Sequence, residues 1–267
     1  MLDPLDLLVF FAVLGVMIIV HEFGHFFAAK RAKVAVERFS LGFGPQLISF
    51  MRNGTRYAIC LIPFGGFIKM AGDSLEECKG RPGEYLAQPV WKRFAIVFSG
   101  PLLNYCLGVV LFCFIFFAGY PALTSTIGEV MPGYGAEKVG LRAQDRVVAV
   151  EGRPVELWDD LQHEIFTRSS QQAIELSVVR GGSQVNVSVP LVTETAEDVL
   201  GQRRNVGRVG IKPDFNRTVF VRHTALESVS LGVKKSVDLT VLTYKAMGLI
   251  VTGRLSFKES MTGPVGM

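Results

Sequence analysis

Apolar positions fall into three long runs, separated by stretches in which apolar and polar residues alternate. The first run, from Leu5 to about Ala29, contains "LLVFFAVLGVMIIV" with no polar side chain. As a helix rising 1.5 Å per residue it covers roughly 35 Å, enough for the hydrocarbon core of a bilayer. It does not read as a cleaved signal peptide, because Asp3 and Asp6 lead it and no small-x-small site ends it. The second run, Phe94 to Tyr120, is "FAIVFSGPLLNYCLGVVLFCFIFFAGY" and gives the strongest apolar signal. The third, around Leu226 to Ile250, is interrupted by Lys234, Lys235, Asp238 and Lys245, so it predicts a helix that spans or lies along an interface.

The alternating stretches predict β-structure. "LISFMRNGTRYAICL", residues 47 to 61, reads as a hairpin about Asn53-Gly54, a pair that accepts the positive φ of a tight primed turn. It runs into the glycine-rich, aromatic "IPFGGFIKMAGD". Two readings of this region stay open: a small sheet packed on the helices, or a sheet edge dipping into the membrane and free to pair with an extended peptide. Residues 121 to 192 predict a small water-soluble β-rich domain. It has a strand, a short helical turn, a strand into Glu151-Gly152, an amphipathic helix, and a hairpin about Gly181-Gly182. The helix, "LWDDLQHEIFTR", puts Leu157, Leu161, Ile165 and Phe166 on one side. The polar stretch 193 to 225 reads as an irregular linker.

Composition favours a membrane protein. Of 267 residues, 49% are hydrophobic and 19% charged, with a mean hydropathy of +0.34. Soluble domains carry nearer a quarter charged residues. The net charge of +4 is mild, and no nucleic-acid partner is expected. The four cysteines, at 60, 78, 106 and 113, show no Cys-x-x-Cys spacing and suggest neither a disulfide framework nor a thiolate metal site. Where the basic residues sit matters more. Lys30, Arg31 and Lys33 follow the first run, Lys92 and Arg93 precede the second, and Arg254 and Lys258 follow the third. The positive-inside rule makes these ends cytoplasmic and puts the N-terminus and residues 121 to 225 outside.

The first apolar run ends in "VMIIVHEFGHFFAAK", which places His21, Glu22 and His25 where a bilayer penalises each of them. On a helix, residues four apart share a face, so both imidazoles can address one metal ion. Glu22, beside the first histidine, can take a proton from water held at that ion without ligating it. The carboxylic acid so formed can then protonate a leaving amine. Surface helices of soluble proteins produce His-Glu-x-x-His by accident. Here it contains two of the four histidines and lies inside an apolar run. His163 and His223 read as ordinary residues of the outer region. Asp3, Asp6, Asp73 and Asp238 lie at no spacing that recommends any of them as a third ligand.

Taken with "RFSLGFGP" at 38 to 45, "IPFGGFIKMAGD" at 62 to 73, "SGPLLNYCLG" at 99 to 108 and "TGPVGM" at the end, "HEFGHFFAAK" resembles the site-2 protease family of intramembrane zinc proteases. The likeness is to the bacterial regulator-of-sigma-E protease type, and "GEVMPGYGAEKVGLRAQDRVVAVEGRPV" at 128 to 155 is similar to a PDZ domain. The resemblance implies a multi-pass protease of the bacterial inner membrane that cuts transmembrane segments of already trimmed proteins, such as anti-sigma factors, and releases a signal toward the cytoplasm. It implies His21 and His25 as zinc ligands, Glu22 as the catalytic carboxylate and Asn104 as a residue facing the site, holding substrate backbone or a neighbouring loop. Two departures stand out. Gln144 occupies a position where the PDZ pattern has glycine, and the Leu-Asp-Gly motif that carries the third zinc ligand in the family does not occur before Met267. The expectation is therefore a fragment.

The fold expected is an α-helical polytopic membrane protein, with three spans present and one more beyond the chain end. A membrane-associated β-hairpin and an inserted extracytoplasmic PDZ-like α+β domain accompany the helices. The expected divisions are a membrane domain at 1–120, the PDZ-like domain at 121–192, a linker at 193–225 and the third helix at 226–267. The partners expected are transmembrane substrates and lipid. A membrane-anchored PDZ adaptor without catalysis is the alternative.

Overall fold

The computed structural model describes residues 3–197 and 203–253. The chain divides into two compact units, residues 1–111 and 112–267.

The first unit opens with helix α1, Pro4–Arg31, whose N-cap Asp3 accepts a hydrogen bond from the Leu5 amide and whose first position is proline. Both features suit a helix start: the carboxylate satisfies an orphan N–H, and proline has no N–H to lose. Strands β1, Val36–Arg52, and β2, Thr55–Met70, follow, joined at Asn53-Gly54 with φ of 49° and 75°. Helix α2, Val90–Ala118, carries Pro101 in its interior. By length and composition, α1 and α2 are the two described helices able to cross a membrane, and their apolar windows are 6% and 0% buried. Side chains such as Phe10 and Phe114 stand open on them. Apolar helices with so little protein cover suit lipid as solvent.

The predicted hairpin is longer than 47 to 61, and it folds back on itself. Residues 38–41 of β1 pair with 56–59 of β2 on one side and with 66–69 on the other. The segments therefore lie side by side in the order 46–52, 55–60, 38–41, 66–70. Positive φ at Gly42, Gly44 and Gly65 marks the corners. A Cβ on Gly42 would press into the Ile62 carbonyl, so the chain crosses itself where only glycine fits. Phe50, Met51, Leu47 and Ile48 on the outer segment are exposed.

The second unit begins with strands β3, Tyr120–Leu123, and β4, Ile127–Val130, then the short helix α3, Gly135–Lys138. Strands β5, Arg146–Val150, and β6, Arg153–Pro154, lead to helix α4, Trp158–Thr167. Strands β7, Ala173–Arg180, and β8, Ser183–Pro190, complete a sheet of order β6-β5-β7-β8. Ile174, Leu176 and Val178 alternate inward along β7 and pack with Val147, Val150 and Leu161 in the core. Residues 193–225, expected to be a linker, carry strands instead. These are β9, Val192–Glu197, β10, Arg203–Arg208, β11, Ile211–Pro213, and β12, Thr218–Val221. β9 pairs with β10, β11 with β4, and β12 with β3, so the chain leaves this domain beside the strand by which it entered. Gln144, where glycine was expected, has φ of 73°, so the position does impose left-handed backbone. Its side chain donates to Asp214 Oδ2 at 3.0 Å.

Helix α5, Ala225–Val251, starts at a capping box formed by Thr224 and Glu227. It occupies the predicted third run, but it is not among the described helices long and apolar enough to cross. "TGPVGM" lies outside the described residues.

One ion pair holds the second unit's core in a pH-dependent way. Asp145, 2% exposed, receives Arg180 Nε at 2.7 Å and Nη2 at 2.6 Å, and its Oδ2 accepts the Arg142 amide at 2.8 Å. Burial alone pushes the Asp145 carboxyl up; the Arg180 and Arg142 hydrogen bonds and charges outweigh it and hold the group below the usual aspartate range. A depressed folded-state pKa gives stability that is present above the unfolded value, near 4, and lost as pH falls through the folded value. Arg180→Met is expected to destabilise the domain at neutral pH, because it strips the buried Asp145 carboxylate of its cation; Arg180 reaches solvent, so the loss is smaller than for a fully buried pair. The variant should also flatten the acid loss. Hydrogen exchange at the β5 and β7 amides of the whole protein, corrected for intrinsic rate, checks both expectations.

Candidate functional site

His21, Glu22 and His25 lie in the C-terminal half of α1, about one and a half to two and a half turns before its basic end at Lys30 and Arg31. The rings of His21 and His25 sit 4.8 Å apart at 84°. Their Nε2 atoms converge beside Gly100 of α2. A Cβ built there would lie 2.5 Å from His25 Nε2 and 2.9 Å from His21 Nε2. Glycine at 100 therefore leaves open the space both nitrogens face.

Two glycines set the distance between the helices. A Cβ on Gly24 would meet the Ser99 carbonyl, with the Gly100 Cα at 3.0 Å. Gly24 and Gly100 are both buried, a small-residue crossing of the kind that lets helix backbones approach closely. Pro101 removes the N–H that would close on the Val97 carbonyl and crowds the turn before it. In that turn the Ile96 carbonyl accepts from His25 Nδ1 at 2.7 Å. An Nδ1–H held this way leaves Nε2 as the free lone pair, the tautomer a metal needs.

His21 is oriented by Asn104, whose amide lies 3.3 Å from Nδ1. Nδ2 would donate to a bare Nδ1, yet Asn104 Oδ1 is buried with no partner. Turning the amide over lets His21 Nδ1–H donate to Oδ1, which gives both histidines the same tautomer. The family resemblance implies Asn104 facing the site; the structure puts it against His21 and adds the Ile96 carbonyl as the matching support of His25. The Ile96 contact had no signal in the sequence, since its partner is a main-chain carbonyl 71 residues away.

Glu22 is half-buried, and the edge segment of the folded sheet, 66–70, lies against it. A Cβ on Gly66 would stand 3.1 Å from Glu22 Cγ and 2.9 Å from the Ser40 carbonyl. The glycine-rich "IPFGGF" stretch thus brings the edge segment 66–70 beside the carboxylate. Paired, oriented imidazoles with a carboxylate alongside fit a zinc ion held by nitrogen ligands. Among the described residues no third His, Cys, Asp or Glu joins them.

The second unit holds a separate groove of about 570 Å³. One wall is α4, through Trp158, Leu161, Gln162, Ile165 and His163, and the other is the stretch from Val206 to Ile211. His223, by contrast, packs against Phe116 and Tyr120.

The chain is similar to known proteins along most of its length. The sequence profile of Peptidase family M50 matches residues 9–267. A protein named as a zinc metalloprotease in Clostridium acetobutylicum is 31% identical over 254 residues, 95% of this chain and 70% of that protein. Another so named, in Mesorhizobium japonicum, is 31% identical over 274 residues, covering 96% of this chain and 74% of its own. The metalloprotease MmpA of Caulobacter vibrioides is 28% identical over 278 residues, 96% of this chain and 69% of that protein. Among solved structures, the PDZ domain of an SdrC-like protein from Listeria innocua aligns over 34% of this chain and 92% of its own, at 18% identity and a TM-score of 0.27.

Proposed function

This chain belongs to peptidase family M50, and on that premise we propose that it is a zinc endopeptidase that cuts membrane-spanning segments of other proteins. The observation that carries the reading is the convergence of His21 Nε2 and His25 Nε2 beside Gly100, with Glu22 next to them, inside an apolar helix. His21 and His25 would hold the zinc, which when bound polarises the scissile carbonyl and makes water acidic near neutral pH.

The rest of the chemistry belongs to the chain's own residues. Glu22 takes a proton from the attacking water as its oxygen bonds to the carbonyl carbon. It returns that proton to the amine nitrogen as the C–N bond breaks. Ile96 and Asn104 keep both imidazoles in the ligating tautomer. A helical substrate must unwind to expose its peptide bond, and in lipid its freed N–H and C=O groups need partners. The edge segment 66–70, beside Glu22, supplies them by strand addition.

Orientation follows the basic residues: the zinc motif lies toward the cytoplasmic side, and residues 121–225 lie outside. The chain is an inner-membrane protein whose substrates arrive already trimmed, and whose outer domain, read as PDZ-like, filters or docks them. The α4 groove is where a peptide would be held. α5 follows as a third, interfacial or spanning helix.

Reconstituted in vesicles with a single-span reporter, the protein should cut within the apolar segment. A zinc chelator should abolish the cut and added zinc should restore it. Mass spectrometry of the fragments locates the cut. A cut confined to the water-exposed flanks would contradict the intramembrane reading, and no chelator-sensitive cut would favour an anchored adaptor.

A further inference from the structure

We propose that the cleft between the basic end of α1 and the folded hairpin binds the headgroup of an anionic phospholipid. The cleft measures about 500 Å³ and is lined by Phe23, Phe26 and Lys30 from α1 and by Phe50, Arg52, Asn53 and Tyr57 from the hairpin. Phe23, Phe26 and Lys30 follow helical spacing, so aromatic rings lead down to a cation on one stripe. Phe50 and Tyr57 stack at 5.2 Å and 15° to form the facing wall.

The cations set the ligand's charge. Lys30 Nζ donates to Thr55 Oγ1 at 2.8 Å and stands 5.6 Å over the Phe26 ring. Thr55 is fully buried and itself donates to the Val36 carbonyl at 2.7 Å, so the ammonium is held from below. An ammonium has three N–H donors, and one is used here. Among the described residues neither Lys30 nor Arg52 makes an ion pair with a carboxylate. Two unbalanced cations in one aromatic cleft complement an anion that carries apolar tails.

The position selects the source of that anion. On the proposed orientation, Lys30 lies at the cytoplasmic surface, where anionic lipids concentrate and basic pockets between membrane elements take their headgroups. The phosphate would sit between Lys30 and Arg52, and an acyl chain would run along Phe26 and Phe23 toward the bilayer. The site is separate from the histidines. Its occupant would tie the hairpin to the helix that carries them.

Native mass spectrometry of the intact protein in detergent, titrated with phosphatidylglycerol or phosphatidylcholine, tests this. Phosphatidylglycerol should bind about tenfold more tightly. Lys30→Gln with Arg52→Gln should reduce that to the phosphatidylcholine level. Arg31→Gln with Arg56→Gln removes the same charge from outside the cleft and should change affinity less than about twofold. Arg52→Gln alone leaves the Lys30–Thr55 contact intact and should cost about threefold, so a misfolded double variant does not remove the test. Equal binding of the two lipids by the wild type, an equal loss in the control pair, or displacement of the lipid by inorganic phosphate would each overturn the proposal. A protein that bound neither lipid would contradict the membrane reading as well.

Discussion

Glu22→Gln is expected to lower peptide-bond cleavage by at least about 10³-fold while leaving bound zinc unchanged. Proton transfer by a positioned carboxylate typically contributes 10²–10⁴ in rate, and here one group serves both the attack and the departure of the amine. Glutamine keeps the shape of the side chain, half-buried against Gly66, but cannot take a proton. Because Glu22 sits beside the histidine pair rather than in it, the ion should stay. Glu22→Asp shortens the reach by one methylene and should fall between the two. Cleavage by the glutamine form within about tenfold of wild type would remove Glu22 from the chemistry.

The second large effect comes from a residue with no chemistry of its own. Gly100→Ala would place a methyl 2.5 Å from His25 Nε2, 2.6 Å from its Cε1 and 2.9 Å from His21 Nε2. The Cβ is fixed to the α2 backbone, so the imidazoles must swing away and lose Ile96 and Asn104. Losing one outer support of a ligand already costs 10–100-fold in affinity, so zinc affinity should fall by at least about 10²-fold. Gly108→Ala on the same helix, where nothing lies within 4 Å of the added carbon, is the matched control and should leave zinc and cleavage unchanged. Helicity by circular dichroism separates loss of the site from loss of the fold. Equal zinc in both alanine forms would contradict the geometry at Gly100.

What the sequence made legible was local. His21, Glu22 and His25 are related by helical spacing, and the apolar run that contains them is continuous, so the site's first components needed no tertiary information. The same holds for α4 and for the hairpin at Gly181-Gly182, where pattern and turn residues lie within a dozen positions. The folding-back of β1 on β2 was not legible. Residues 38–41 pair with partners on both sides, and the second of these, 66–69, is chosen by the corners at Gly42, Gly44 and Gly65 rather than by alternation. Residues 193–225 read as a linker because their strands are short, β9 and β10 are polar, and β11 and β12 pair with the distant β4 and β3. Asn104 was marked as site-facing only through the family resemblance. Its contact with His21 depends on how closely Gly24 and Gly100 let two helices cross, and a glycine does not announce its neighbours. Gln144 shows the converse: the expectation of glycine was a correct statement about φ, which the chain meets with a different residue.

The proposed activity requires that His21 and His25 hold a zinc ion inside α1. Elemental analysis of the purified protein and of its His21→Ala form tests that most directly. One zinc per molecule, lost with His21, is the predicted result. Zinc retained in full by the His21→Ala form, or absent from the wild type after purification in zinc-containing buffer, would contradict it.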